Sequence, residues 1–377
     1  MDHRVALLNT VFALDDTGCV TCGGGERYLI ELCGLLRELD YDPQVWQPGT
    51  KTHEIEGICV AGLPWGGMEY GTLPELNKQF RERTAGYDKF IYFVPVLAFP
   101  HVRPCSVVIS HSVFWDSPLQ PWTAHGGPVR EEWLRRLHQA VTAPDLFVSV
   151  DTNALNWIRA LWPGYEDRQV YIPSFVETGL FHPAEQSPDR QKTVVLFPRR
   201  LEWNRGLDAA KAAALVLTQR FATVEFHFVG QGAGAVTEDE MRHWAAAHPR
   251  CRYYWAPMRE MPEVYRRADM VILPTQCSEG TSLSCLEAMA SGKAVVCTRV
   301  GGLTDLVIDG YNGRLIEATP EALIAAIDDL FRHPDQRARL GAKAAETAQC
   351  FSLKKWRRRW AHALSTIWGD LHAVDPL

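Results

Sequence analysis

Short runs of Val, Ile, Leu and Phe alternate with amphipathic segments along nearly the whole chain. In the first half, Val5–Leu8, Gln44–Trp46, Ile58–Ala61, Phe90–Val94, Val107–Ser110, Phe147–Val150 and Val170–Ile172 predict strands. Several of these runs are close to continuously apolar, as strands covered on both faces must be. Between the first two, Leu29, Leu32, Leu36 and Leu39 recur at helical spacing and predict a helix over Glu26–Leu39. The alternation lapses from Phe181 to Gln191, a polar stretch with proline that reads as a linker. It then restarts with predicted strands Thr193–Phe197, Val224–Val229, Tyr253–Trp255, Met270–Leu273 and Ala294–Cys297. Helices are predicted over Leu207–Leu217, Leu283–Ala290 and, at the end, from about Leu353 to Leu371. The pattern is α/β: two Rossmann-like, doubly wound domains facing each other. Open sheets of this kind bind ligands beyond the carboxyl ends of their strands, so a cleft shared by both domains is the expected seat of chemistry.

Composition narrows the class. A length of 377 residues suits two domains, and 46% hydrophobic with 22% charged residues is a globular balance. A net charge of −6 argues against a nucleic-acid binder, which would carry a basic domain. No apolar run reaches the length of a membrane-spanning helix. The N-terminal stretch superficially resembles a signal peptide, but Asn9 interrupts it and Asp15-Asp16 stand where a cleavage site would be. It reads as the first strand. The ten cysteines form no framework, and the Cys19/Cys22 pair has no second pair to complete a zinc site. Free thiols in a reducing cytoplasm are the expectation.

Four clusters carry candidate chemistry. In 274–302, a buried strand ends at Leu273, a loop carries Glu279 and Gly280, and Thr281 or Ser282 caps a helix that Gly292 stops. The free N–H groups of its first turn, near Thr281, Ser282 and Leu283, form an anion site. Glu279 and Glu287 beside an anion site suit a ligand that also offers hydroxyls, and a sugar nucleotide offers both. The 284/287 spacing is equally that of a capping box, which would give Glu287 a purely structural use. The second cluster, 199–206, places Arg199, Arg200 and Arg205 after strand Thr193–Phe197, either to hold a diphosphate or as a solvated basic loop. The third is Gly23-Gly24-Gly25-Glu26-Arg27 at a helix start. The fourth is His111 at a strand end, where a histidine can be structural or can hold a sugar hydroxyl or a proton. Trp115 and Trp122 follow in a Pro- and Gly-rich loop, suited to packing or to stacking on an acceptor ring.

The 274–302 stretch resembles the E-x7-E donor motif of retaining glycosyltransferases of the GT-B fold, in particular glycosyltransferase family 4 (glycosyl transferases group 1). The likeness runs on through Glu287-Ala288-Met289-Ala290, Gly292, Val295-Val296 and Gly301-Gly302. It implies that Glu279 contacts hydroxyls of the transferred sugar and that Glu287 binds the ribose. Gly280-Thr281-Ser282 replaces the family's Gly-Phe-Gly. Arg200-Leu201 through Arg205-Gly206 is similar to the family's Arg-Leu-x-x-x-Lys-Gly, which implies phosphate-binding roles for Arg200 and Arg205. Gly23–Arg27 resembles the family's Gly-Gly-x-Glu-Arg, whose loop lies over the donor phosphates and so places Gly24 and Gly25 there. His111 matches the histidine that the family sets beside the transferred sugar. Smaller echoes are 172–177 with Phe181 and Pro183, Gly230-Gln231-Gly232, and Phe351-Ser352, where the family's last helix crosses back to the first domain. The implied domains are 1–182 on the acceptor side, 183–351 on the donor side, and a returning helix over 352–377. Coverage is weakest from Thr50 to Val107.

The expected reaction is retaining transfer of a sugar from a nucleoside-diphosphate sugar to a hydroxyl acceptor. Without an Asp-x-Asp motif, protein cations and dipoles take the place of a metal, and no cofactor is expected beyond the co-substrate. The leaving phosphate would take the acceptor's proton. Alanine at Glu279 is expected to cut turnover with the fold intact. The rival readings are an epimerase or phosphorylase on this scaffold and a non-catalytic sugar-nucleotide-binding subunit. The run Lys354–Arg359, with Trp356 and Trp360, is either a charged helix face or a contact for an anionic membrane.

Overall fold

The computed structural model describes residues 3–14, 17–20, 23–65, 72–113, 127–184, 192–232 and 236–369. The loop tryptophans Trp115 and Trp122, Cys22, the linker residues 185–191 and the predicted helix end at Leu371 lie outside them. The chain forms two compact units, Met1–Pro173 with Lys354–Leu377, and Ser174–Leu353.

The first unit is built on an eight-stranded sheet in the order β3-β4-β2-β1-β5-β6-β7-β8. Its strands are β1 Arg4–Leu8, β2 Asp42–Pro48, β3 Thr52–Ile55, β4 Ile58–Leu63, β5 Lys89–Tyr92, β6 Ser106–Ser110, β7 Leu146–Ser149 and β8 Gln169–Tyr171. All pairings are parallel except β3 with β4. β1 sends the chain to β2 on one side and is flanked by β5 on the other, so the strand order reverses there. The helix Gly24–Glu38 starts after β1 and buries Tyr28, Leu29, Leu32 and Leu36 on one stripe.

The second unit carries a six-stranded, wholly parallel sheet in the order β11-β10-β9-β12-β13-β14. These strands are β9 Thr193–Phe197, β10 Val224–Val229, β11 Cys251–Tyr254, β12 Met270–Leu273, β13 Ala294–Thr298 and β14 Arg314–Ile316. Both faces are dry. Val195, Phe197, Met270, Ile272 and Val296 join one core cluster, while Leu196, Val271, Leu273, Val295 and Cys297 join the other. This two-sided burial is why the strands read as unbroken apolar runs. Here the order reverses between β9 and β12.

The structure moves the domain boundary. The expected division at 182/183 falls instead at Pro173/Ser174, because Val176 and Phe181 are buried in the core of the second unit. Polarity marked a loop, whereas burial decides the boundary. On the return, the Leu353 N–H donates to the Val176 carbonyl at 3.0 Å, so residues up to Leu353 stay with the second unit.

The C-terminal helix Leu353–Trp368 then packs, from Lys354 onward, with the first unit. Trp356 and Trp360 are 1% and 0% exposed and surround Tyr28, so neither indole is available to a lipid surface. Arg357 is tied to Glu31 at 2.8 Å and to Glu38, leaving the basic run as a partly paired helix face. Among the described residues no helix is long and apolar enough to cross a membrane.

Candidate active site

Both charged loops of the second unit leave the sheet where its order reverses. β9 and β12 are hydrogen-bonded neighbours, so the loop 198–206 after β9 and the loop 274–282 after β12 emerge side by side. Backbone contacts lock them together. The Gln276 N–H donates to the Asn204 carbonyl at 2.9 Å. Gly206, with φ of 79°, lies so near that a Cβ would sit 1.9 Å from the Pro274 carbonyl oxygen. Only glycine fits there. From the far side, Gly301 at φ 51° lets the 301–302 turn press on the Glu279 backbone, and the Gly302 N–H donates to the Glu279 carbonyl at 2.7 Å.

The side chains brought together are Arg199, Arg205, Thr275, Glu279 and Ser282. Arg199 and Glu279 are each 7% exposed. Arg199 grips Glu279 through both terminal nitrogens, Nη1 to Oε1 at 3.1 Å and Nη2 to Oε2 at 2.5 Å. Its Nη1 also donates to Ser282 Oγ at 2.9 Å. Arg205 Nη1 and, at 3.3 Å, Thr275 Oγ1 donate to the same Oε2. Burial alone would raise the Glu279 pKa, but the charges of Arg199 and Arg205 outweigh it and hold the carboxyl at about 2. It is therefore ionised at any ordinary pH. Arg199, Arg200 and Arg205 against the carboxylates of Glu202 and Glu279 leave one net positive charge at the loop mouth.

This arrangement separates the two arginines that the sequence presented as equivalent. Arg200, the residue matched to the phosphate role, has its side chain 46% exposed and lies 3.9 Å from Glu202. The buried arginine is Arg199, which the sequence placed in this cluster but to which the family resemblance gave no role. Alternation could not have separated the two, since β9 is buried on both faces, with Val195 and Phe197 in one core cluster and Leu196 in the other.

The helix Leu283–Ala290 starts at Ser282, whose side chain accepts from the Cys285 N–H. This settles the capping-box alternative against Glu287, which sits within the helix, 3% exposed, and accepts from Tyr265 Oη at 2.9 Å. Tyr265 is a second residue that local sequence could not reveal. Thr281 is buried, and its Oγ1 accepts from the Ser174 N–H at 2.7 Å. Its hydroxyl oxygen therefore fixes the loop, while Gly280 and Leu283 flank it in the same turn.

In the first unit the structure assembles a separate group. Gly23 is the N-cap of the helix that Gly24 and Gly25 open. The Glu26 carboxylate folds back over this start, so close that a Cβ on Gly23 would lie 2.3 Å from Oε2. A Cβ on Gly25 would meet the Phe93 ring at 3.8 Å. His111, just beyond β6, packs on Phe93 with ring centroids 4.5 Å apart and meets the Tyr28 ring edge-on at 5.1 Å. Burial lowers its pKa to about 4 against the opposing pull of a backbone hydrogen bond with Phe93. The imidazole is neutral at pH 7, so of its two expected uses the structure favours a polar contact over a proton store. Its buried Nε2 has no hydrogen-bond partner among the described residues.

The family model of the glycosyl transferases group 1 matches residues 181–347, a stretch containing both charged loops. The D-inositol 3-phosphate glycosyltransferase of Corynebacterium glutamicum (strain R) is 32% identical, covering 99% of this chain and 98% of that protein. The sucrose-phosphate synthase of Thermosynechococcus elongatus shares the fold with a TM-score of 0.79 at 18% identity, over 97% of this chain and 99% of its own. Anabaena HepE, solved in complex with UDP-glucose, does so with a TM-score of 0.72 at 20% identity, over 96% and 99%. With a relative of this identity matched end to end and GT-B structures across nearly its whole length, the chain belongs to the glycosyl transferases of group 1.

Proposed function

We propose that the protein transfers a sugar from a nucleoside-diphosphate sugar to a hydroxyl acceptor, with retention at the anomeric carbon and without a metal ion. The observation that carries this reading is the Arg199–Glu279–Arg205 cluster at the start of the Leu283–Ala290 helix. An ionised carboxylate set among guanidiniums and helix N–H groups offers acceptors to sugar hydroxyls and positive charge to a diphosphate. UDP-glucose in the Anabaena neighbour is a ligand of that chemistry.

In the reaction, the bond from the anomeric carbon to the phosphate oxygen breaks while the acceptor oxygen bonds to the same face of the sugar. The acceptor's proton goes to the departing phosphate oxygen. Arg200, Arg205 and the backbone N–H groups from Thr281 to Leu283 stabilise the charge that grows on the nucleoside diphosphate, a role otherwise filled by a metal. Gly24 and Gly25 give the phosphates close backbone approach. Neutral His111 and ionised Glu279 hold hydroxyls of the transferred sugar; Glu287 holds the ribose. Tyr265 aims Glu287, and Tyr265→Phe is expected to weaken nucleotide binding about 5- to 10-fold, the worth of one buried hydrogen bond. Equal affinity of wild type and variant in a calorimetric titration would reduce that phenol to core packing.

A thermal-shift panel of nucleoside diphosphates tests the reading. A ligand that binds only the native state at about 100 times its Kd adds roughly 2.7 kcal/mol of stability. The best stabiliser identifies the donor nucleotide, and NMR of the product's anomeric proton then reads the stereochemistry. A panel in which no nucleoside diphosphate raises the melting temperature would overturn the proposal.

A further inference from the structure

We propose that Arg199 is a positioning residue that keeps Glu279 ionised and aimed while Arg205 transfers from Glu279 to the donor diphosphate. The inference rests on the donor reading above and adds to it an ordered exchange of partners.

The two arginines hold the same carboxylate in different ways. Arg199 is buried, forked across both carboxylate oxygens and fastened to Ser282, the residue that caps the helix. Three bonds in a fixed plane leave it no second position. Arg205 makes one hydrogen bond to Glu279, is 23% exposed, and has Glu202 as a looser neighbour at 3.7 Å. Burial pulls its pKa down and the nearby charges of Arg199 and Arg200 add to this, although Glu279 opposes. A guanidinium crowded by like charge gains most from a new anion. It also sits in the short turn Trp203–Arg205, directly before the left-handed Gly206.

A diphosphate arriving at the helix start offers Arg205 that anion. Once Arg205 turns to it, Glu279 Oε2 loses a donor and becomes available to a hydroxyl of the transferred sugar. Without Arg199, the carboxylate would at that moment be buried with no countercharge and would take up a proton. The groups facing Glu279 leave no substitute. Thr275 and Ser282 are neutral, Cys285 and Cys297 are buried thiols, Cys277 has its pKa raised by burial, Tyr265 is buried and bonded to Glu287, and Arg200 is 46% exposed with Glu202 as its neighbour at 3.9 Å.

The experiment follows the carboxyl carbons of selectively 13C-labelled glutamate by NMR in the full chain, with the Glu279 signal assigned by its loss in Glu279→Gln. In wild type this signal should stay that of a carboxylate from pH 8 to below pH 4, with or without inorganic pyrophosphate. In Arg199→Met its midpoint should move to higher pH, and pyrophosphate should move it further as Arg205 is drawn off. Arg199→Lys, which keeps the charge and loses the fork, should fall between the two; should the methionine variant not fold, it carries the test. An Arg199→Met signal that titrates with wild type would show that Arg205 alone suffices. A midpoint indifferent to pyrophosphate would remove the exchange. Failure of the donor reading shows itself differently, as wild type that no nucleoside diphosphate stabilises, and the pyrophosphate-free titration still decides the role of Arg199.

Discussion

Replacing Glu279 with alanine is expected to cost the second unit about 3–5 kcal/mol, the usual penalty for breaking a buried ion pair by deleting one partner. The loss comes from what remains: Arg199, 7% exposed, would face Arg205 with no anion between them. Alanine here is therefore expected to lower stability as well as turnover. Glu279→Gln is the cleaner probe of chemistry, since it keeps shape and one acceptor oxygen. Hydrogen bonds to charged groups are worth about 1.5–3 kcal/mol, so glutamine should lower turnover about 10- to 100-fold. The stability effect carries a pH signature. Glu279 titrates near 2 when folded against an ordinary value of 4.5. On acidification the unfolded chain therefore takes up this proton first. The stabilisation, on the order of 3 kcal/mol, is complete above pH 4.5 and drains away as pH falls towards 2. Urea unfolding should show wild type ahead of Glu279→Gln at pH 6 and the gap narrowing by pH 3. A gap of the same size at both would mean that the carboxylate charge adds nothing to stability.

What could be read from the chain before its structure follows from how local each feature is. β9, β12 and β13 were legible because burial on both faces makes every position apolar. β3 was not: Thr52–Ile55 is a mostly polar, antiparallel edge strand joined to β4 through Glu56 and Gly57, both at positive φ. The 274–282 loop was legible because Glu279, the helix cap and Glu287 lie within one short stretch. Their partners were not, because Tyr265 is 22 residues from Glu287 and Arg199 is 80 from Glu279. Contacts at such separations depend on which strands become neighbours, and local periodicity carries no record of that. The boundary at Pro173 escaped for a related reason. Residues 174–181 look like a connection, yet Val176 and Phe181 finish a core whose other members lie far along the chain.

Trp360→Ala should be the most damaging substitution in the first unit, at about 3–5 kcal/mol. The indole is fully buried and its Nε1–H donates to Tyr28 Oη at 2.8 Å. Trp356 meets the same tyrosine edge-on at 5.0 Å. Tyr28 thus anchors the returning helix on one side and supports His111 on the other, with centroids 5.1 Å apart. Alanine would open a cavity among Tyr28, Trp356 and the helix Gly24–Glu38, and the partly exposed pairs of Arg357 with Glu31 and Glu38 would not hold the segment down. Trp360→Phe fills most of that volume and forfeits mainly the N–H, so it should cost only about 1–2 kcal/mol. Hydrogen exchange separates this from a general loss of stability. Amides of Gly24–Glu38 and of the C-terminal helix should exchange faster in Trp360→Ala, while β9, β12 and β13 of the second unit keep their protection. Unchanged exchange along Gly24–Glu38 would show that the returning helix does not brace the element that supports His111.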